Sequence, residues 1–238
     1  MTIKVAVVGA TGRMGKLALD LISSAQDLSL HAALHSRSEL SDLLGADVVF
    51  DVTKLEVSSK VVDFAVEAGI PVVVGTSGWS ASKLADLETK VTKAGGTAVV
   101  VPNFSIGSML ATRFATEAAK FFTSIEIVEA HHAHKVDSPS GTAIRTAELI
   151  SEARVDQPLI TGVGQQARGE IVSGIPIHSL RISGISAKQD VILGGESEVL
   201  TISHEVSSVV SYSAGILAAI RFAAKNTGIY VGLDKVVS

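Results

Sequence analysis

The sequence predicts an α/β protein in which a doubly wound parallel sheet is followed by an α+β domain with a mixed sheet. Three observations carry this. Short, nearly unbroken runs of Val, Ile and Ala alternate with helical patterns through the first hundred residues, as in parallel strands covered on both faces. After Pro102 the rhythm changes, and period-2 strands follow one another, which suggests an antiparallel or mixed sheet. The first apolar run also ends in glycines at three-residue spacing that open a helix.

Taken in order, Ile3 to Val8 reads as a buried strand and Arg13 to Ser24 as a helix. Leu28 to Leu34 and Asp47 to Asp51 are the second and third strands. Ser58 to Ala68 is a helix that stops at Gly69, a residue suited to the left-handed turn after a helix. Ile70 to Val74 is a strand, Ser80 to Ala94 a helix and Thr97 to Val101 a fifth strand. Beyond Pro102, Met109 to Phe122 reads as one long amphipathic helix, Ile125 to Ala130 as a strand and Thr142 to Ala153 as a helix. Residues 154–174 are rich in Gly, Gln and Arg and read as a long loop. Three strands follow: Ile175 to Ile182, Ala187 to Leu193 and Val199 to Glu205. Ser211 to Ala224 is the final helix. The expected domains are residues 1–104 and 105–210, with 211–238 a C-terminal helix and tail returning to the first.

Composition narrows the function classes. There are 20 Lys and Arg against 24 Asp and Glu, a formal net charge of −4, and the pI is near 6.0. This argues against a bulk nucleic-acid binder, which carries a basic footprint. With 4% aromatics, base-stacking platforms are not expected either. Apolar residues make up 47% and charged residues 18% of the 238, enough for a packed core rather than disorder. The absence of cysteine rules out a disulfide scaffold, a thiolate zinc site and a Cys nucleophile. The closest approach to a spanning segment, Ala214 to Ala224, is short and contains Arg221. The N-terminus lacks the apolar region and cleavage pattern of a signal peptide. A soluble cytoplasmic protein with neither membrane nor nucleic-acid partner is expected.

The glycine loop carries the first chemistry. Gly9-Ala10-Thr11-Gly12-Arg13-Met14-Gly15 follows the first strand and precedes a helix. Such glycines allow a tight turn and let backbone approach a pyrophosphate, while the helix N-terminus offers N–H groups to the anion. In a βαβ unit of this length the motif points to a Rossmann dinucleotide-binding domain. After the second strand, where an NAD site usually places an acid for the ribose hydroxyls, the chain reads His35-Ser36-Arg37. Nothing there repels a 2′-phosphate, and Ser36 and Arg37 can donate to one, so NADPH is favoured over NADH. Gly75-Thr76-Ser77-Gly78 and Pro102-Asn103-Phe104-Ser105 also belong at carboxyl ends of strands. There they read either as ribose and carboxamide contacts or as plain turns.

The segment Glu126 to Ala143 is the most informative. His131, His132 and His134 stand beside Lys135, and Ser138-Pro139-Ser140-Gly141-Thr142 opens a helix. Ser140 is a natural cap, and cations beside a helix N-terminus suit a carboxylate-bearing substrate. Three readings stay open: acid–base catalysis by His or Lys, a zinc site built from His and a carboxylate, or structural histidines paired with neighbouring acids. The zinc reading is weakened because the three histidines cannot all face one way on a strand.

This segment matches the signature of the 4-hydroxy-tetrahydrodipicolinate reductase (dihydrodipicolinate reductase) family at Glu126, Glu129, His131, Lys135, Asp137, Pro139, Ser140, Gly141, Thr142 and Ala143. Gly9-x-x-Gly12-x-Met14-Gly15, Gly75-Thr76, Asn103-Phe104 and Gly174 to His178 also resemble that family, so the likeness spans nearly the whole chain. The resemblance implies a Rossmann domain and a C-terminal domain whose sheet builds a homotetramer. It implies reduction of a cyclic dicarboxylate by NADH or NADPH, in the diaminopimelate route to lysine. Carried onto this chain, His131 is proton donor and acceptor and Lys135 the proton donor. His132, Ser140, Gly141 and Thr142 bind substrate, and no metal is implied. The cofactor contacts it implies are Gly9, Ala10, Thr11, Gly12, Arg13, Met14, Lys54, Gly75, Thr76, Ser77, Val101, Pro102, Asn103 and Phe104, to which the local reading of the turn after the second strand adds His35, Ser36 and Arg37. Two departures stand out: the missing acid after the second strand, and Ser77 in place of a second Thr. Another NAD(P)-dependent imine or semialdehyde reductase and a non-catalytic dinucleotide sensor are the rival readings. The sensor would not need His131 and Lys135 together.

Overall fold

Val5, Ala6, Val7, Val48, Val49, Phe50, Val72, Val73 and Val74 have no exposed surface, because they are the middle of a sheet covered on both sides. The computed structural model describes residues 2–156, 158–162 and 164–237. The chain divides into two units, Met1–Ile106 with Val209–Ser238, and Gly107–Ser208. In the first, β1 (Ile3–Val8), β2 (Leu28–Leu34), β3 (Val48–Asp51), β4 (Val72–Val74), β5 (Thr97–Val100) and a last strand, β11 (Gly228–Val231), form one parallel sheet. Its order is β2-β1-β3-β4-β5-β11. The helices are α1 (Arg13–Ser24), α2 (Leu55–Glu67), α3 (Ala81–Ala94) and α6 (Ser213–Ala223). Strand order reverses direction at β1, between β2 and β3. Open α/β sheets bind ligands outside the carboxyl ends of the strands at such a switch point.

The second unit holds α4, which starts at Ile106 and ends at Ala118, α5 (Gly141–Ala153), β6 (Ser124–His131), β7 (Glu170–Val172), β8 (Ile175–Arg181), β9 (Ala187–Gly195) and β10 (Glu198–Val206). The sheet order is β10-β9-β6-β8-β7. β6 and β8 run parallel and the other pairs antiparallel, so the sheet is mixed as expected. Ile125, Ile127, Ile175, Ile177, Val191 and Leu193 pack from it against Ala115 of α4 and Ala143, Ala147 and Ile150 of α5. Among the described residues, no helix is long and apolar enough to cross a membrane.

Where the chain departs from expectation, local chemistry gives the reason. α2 starts at Leu55 rather than Ser58, because the Ser58 hydroxyl does not cap the helix but donates to the buried Asp51 carboxylate. β4 starts at Val72 because Pro71 has no N–H and Ile70 donates its own back to Ala65 O at 2.8 Å. α4 starts three residues early, just after a turn in which Asn103 Oδ1 accepts from Ser105 N at 2.9 Å. It ends in a 3₁₀ turn over Ala119–Phe121. α6 starts at Ser213, after a 3₁₀ turn over Val209–Tyr212. The expected loop 154–174 contains a 3₁₀ turn at Gln166–Arg168 and the short strand β7; its residues 157 and 163 lie outside the described residues. β7 joins β8 through Ser173 and Gly174, both at positive φ, 49° and 77°. That is the two-residue turn whose twist matches antiparallel strands. β11 was not anticipated either: four residues that begin with Gly228 and run into Gly232 leave little pattern to read.

Candidate active site

In the first unit, the residues expected to meet a cofactor stand at the carboxyl ends of the parallel strands. Leu34 O at the end of β2 accepts from both Gly9 N and Ala10 N at 3.1 Å, which curls the loop after β1 toward the turn after β2. The glycines are required sterically. Gly9 sits at φ +87°, where a Cβ would meet Val52 O at 2.9 Å, and a Cβ on Gly15 would lie 2.2 Å from Gly9 O. Gly12 caps α1 and has no side chain to compete for the first-turn amides. This bare-backbone cradle at a helix N-terminus fits a pyrophosphate. His35, Ser36 and Arg37 form an exposed turn after β2, in which Arg37 N donates to His35 Nδ1 at 3.3 Å and His35 N to Ser38 Oγ at 3.1 Å.

Farther along the same edge, Asp51 closes β3 with no exposed surface. Burial pushes its carboxyl above the ordinary value, opposed by hydrogen bonds from Ser58, Thr53 and Thr76. Thr76 donates to Asp51 Oδ2 at 3.3 Å and Thr53 to Asp51 Oδ1 at 2.7 Å, tying the loops after β3 and β4 together. Gly75 lies against Phe104, where a Cβ would meet Cε2 at 2.7 Å. Val101 and Phe104 are 0% and 2% exposed, so these two can offer a ligand backbone rather than side chain. Lys54 is exposed at the N-cap of α2. Met14 lies in the first turn of α1; Ser77, Pro102 and Asn103 complete the two loops after β4 and β5.

In the second unit the histidine segment is organised around one carboxylate. Glu129 on β6 has no exposed surface and accepts from His131 Nδ1 at 2.6 Å, from Arg181 Nη1 and Nη2 at 2.9 and 2.8 Å, and from Ser140 N at 3.1 Å. Burial alone would raise its carboxyl, but hydrogen bonds from Arg181, Ser179 and His131 outweigh it and hold Glu129 below its ordinary value. His131 ends β6 and is partly buried. Burial lowers its imidazole below the usual value; the Glu129 hydrogen bond opposes this, and Lys135 and Arg181 reinforce it. Lys135, in the loop beyond, donates to both oxygens of Asp137 at 2.7 Å. His132 and Thr142 are half-buried and Gly141 is exposed. Ser140 is 3% exposed; its hydroxyl accepts from Ala143 N at 3.3 Å and its amide is taken by Glu129. Ser140 therefore builds the helix start, and the exposed Gly141 begins the turn that can meet a ligand.

The structure brings His131, Lys135, Ser140 and the start of α5 into one constellation. It adds Arg181, which sequence reasoning missed, and gives Glu129 a role. A signal was present. Glu129 shares the strand face of Ile125 and Ile127, both buried, so its carboxylate had to find a partner inside. Among the described residues, no group of three His, Asp or Glu side chains is placed to hold a metal ion.

Two family profiles match the chain: "Dihydrodipicolinate reductase, N-terminus" over residues 3–104 and "Dihydrodipicolinate reductase, C-terminus" over residues 107–237. The chain is 52% identical to the 4-hydroxy-tetrahydrodipicolinate reductase of Clavibacter michiganensis subsp. michiganensis, covering 100% of this chain and 87% of that protein. It is 43% identical to the Streptomyces griseus protein of the same name, covering 98% and 96%. The solved structure of a dipicolinate-bound dihydrodipicolinate reductase from Paenisporosarcina sp. TG-14 superposes with a TM-score of 0.86 at 28% identity, over 99% of this chain and 100% of that one. A probable dehydrogenase from Thermotoga maritima, at 11% identity and a TM-score of 0.63 over 98% of this chain and 92% of that one, shares the fold.

Proposed function

This chain belongs to the dihydrodipicolinate reductase family, and from that premise we propose how its own residues divide the work. It is an NAD(P)H-dependent oxidoreductase that converts 4-hydroxy-tetrahydrodipicolinate to tetrahydrodipicolinate with loss of water, in the diaminopimelate route to lysine. The observation that carries the division of roles is the convergence of an imidazole, an ammonium and a capped helix start within residues 131–142.

Gly141 and Thr142 hold a substrate carboxylate at the start of α5, where the helix dipole favours an anion. Ser140 shapes that turn, and His132 flanks the substrate. NAD(P)H, when bound by the residues at the first unit's strand ends, would supply the hydride. The ring hydroxyl first leaves with a proton as water, which makes the ring a conjugated imine; the ring carbon that then takes the hydride passes its electron density into that conjugated system. The Lys135 ammonium stabilises that charge and donates the proton, and His131 exchanges protons beside it. The test is a coupled assay in which the unstable substrate is made in place by its synthase and NADPH oxidation is followed. Consumption of NADPH only when the synthase is present supports the reading; none in either case overturns it.

Cofactor preference is the finer part of this reading. The exposed His35-Ser36-Arg37 turn has no carboxylate to repel a 2′-phosphate, so NADPH binds at least as well as NADH, with Arg37 the larger contributor. Arg37→Ala should weaken NADPH by about tenfold, the value of one charged hydrogen bond, and leave NADH nearly unchanged. His35→Asp should shift preference toward NADH. Dissociation constants of both cofactors for the three proteins decide the matter. Equal weakening of the two cofactors by Arg37→Ala would show that this turn does not read the phosphate. The same reading takes the protein as a cytoplasmic homotetramer. Exposed Leu180 on β8 and Val199 on β10, which share the sheet face opposite the one that packs on α4 and α5, support an assembly surface on the second unit's sheet.

A further inference from the structure

We propose that Glu129 and Arg181 act as one positioning pair that fixes the His131 imidazole and the anion cradle at the start of α5 as a single unit. This deepens the reading above and rests on the roles it gives His131 and α5.

The pair bonds directly to His131, to Ser140 N at the start of α5 and to the loop that carries Lys135. In the parallel register of β6 and β8, Glu129 stands opposite Ser179 and His131 opposite Arg181. Glu129 Oε2 takes His131 Nδ1 at 2.6 Å, and Oε1 takes Ser140 N at 3.1 Å, just ahead of Gly141 and Thr142. Arg181 grips both oxygens from the adjacent strand. Its Nη2 also donates to Asp137 O at 2.6 Å, which pins the far end of the loop whose Lys135 is paired with the Asp137 carboxylate. A planar guanidinium suits this, because its fork serves a carboxylate and a carbonyl in fixed directions.

Stability alone does not explain such a pair. Two apolar side chains of similar volume would hold the same strands, often at equal or better stability, since burying ions is costly. What apolar side chains cannot do is aim an imidazole. Glu129 is held as a carboxylate and has no proton to give, so His131 Nδ1 carries the hydrogen and Nε2 is the ring nitrogen left to exchange a proton. The charged groups acting on His131 are Glu129 from β6, Lys135 from the loop and Arg181 from β8, with Asp137 behind the two cations. Of the three that act on the ring directly, Glu129 alone supports the charged imidazolium.

The experiment uses the full-length protein with ¹⁵N-labelled histidine, the His131 signals being assigned by their loss in His131→Ala. In the wild type the neutral ring should be the Nδ1–H tautomer; an Nε2–H tautomer overturns the proposal without any variant. Glu129→Gln keeps an acceptor of the same shape and removes the charge. The His131 titration should fall by about one pH unit or more, and the limb of kcat/KM that follows it should move to lower pH by the same amount. Arg181→Lys keeps the charge and loses the fork. It should lower kcat and weaken binding of pyridine-2,6-dicarboxylate, each by about tenfold. A purely structural pair would lower melting temperature yet leave titration, pH profile and dicarboxylate binding as in the wild type, and that result overturns the proposal. If Glu129→Gln does not fold, Arg181→Lys and the wild-type tautomer decide alone. The tautomer and titration are read in the free protein, so an inactive wild type would count against the reaction rather than against the pair.

Discussion

Replacing Lys135 or His131 by alanine is expected to lower turnover by roughly 10²–10⁴-fold, the range for one general acid or base, while the fold survives. Survival follows from the surroundings. Without the imidazole, Glu129 still has Arg181 and Ser140 N, so no buried charge is orphaned. Without the ammonium, Asp137 is left at the surface, where water replaces its partner. Its carboxyl, held low first by the Lys135 hydrogen bond, would rise toward its ordinary value. Steady-state rates with the coupled substrate, beside thermal melts, make the check. Near-wild-type turnover in both variants would remove these two residues from the chemistry.

The second large effect is structural. Gly215 lies in α6, and a Cβ there would stand 2.0 Å from Phe104 O and 3.2 Å from Leu233 Cδ2. Alanine would gain up to about 1 kcal/mol of helix propensity over glycine. The contact with a backbone carbonyl cannot be relieved by a rotamer, so the helix itself must move. Overpacking of this kind costs about 3 kcal/mol or more, so net of that gain Gly215→Ala should lower the melting temperature by roughly 4–8 °C or more. Because Phe104 ends the loop after β5, cofactor affinity should fall as well. Gly96→Ala is the control, since a Cβ there meets only Ala94 Cβ at 4.0 Å. Equal melting temperatures for the two variants would refute the close approach.

Much of this was legible because the signals were local. The run from Val5 to Val8 is apolar throughout because that strand is covered on both faces, and the glycines behind it announce a backbone approach. His131, Lys135 and Ser140 fall within ten residues, so their grouping needed no fold. Arg181 was not legible in the same way. It reaches Glu129 only through the parallel register of β6 and β8, across the whole of α5 and the segment after it. The start of α2 was placed at Ser58 rather than Leu55 for a related reason: Ser58 lies inside the helix with its hydroxyl bonded to Asp51, a partner fixed by tertiary structure. The strands β7 and β11 are short and flanked by glycine, so their pairing partners define them, not their own pattern.

The pairing of β11 with β5 has a consequence for how the protein is made. The first unit is interrupted: everything from Gly107 to Ser208 is translated between its two parts. At about 5–20 residues per second, the ribosome needs roughly 5–20 s to deliver that insertion. During this interval β5 is an outer strand with open N–H and C=O groups, and α6 is absent from its seat against Phe104. Thr97 has yet to meet Asn226 O, its acceptor at 2.6 Å, and Asp27 has yet to meet Arg221, which grips it with two bonds of 2.8 Å. The second unit is one continuous stretch and can close first on the emerging chain. The nucleotide-binding sheet, although it begins the sequence, is the part of the molecule completed last.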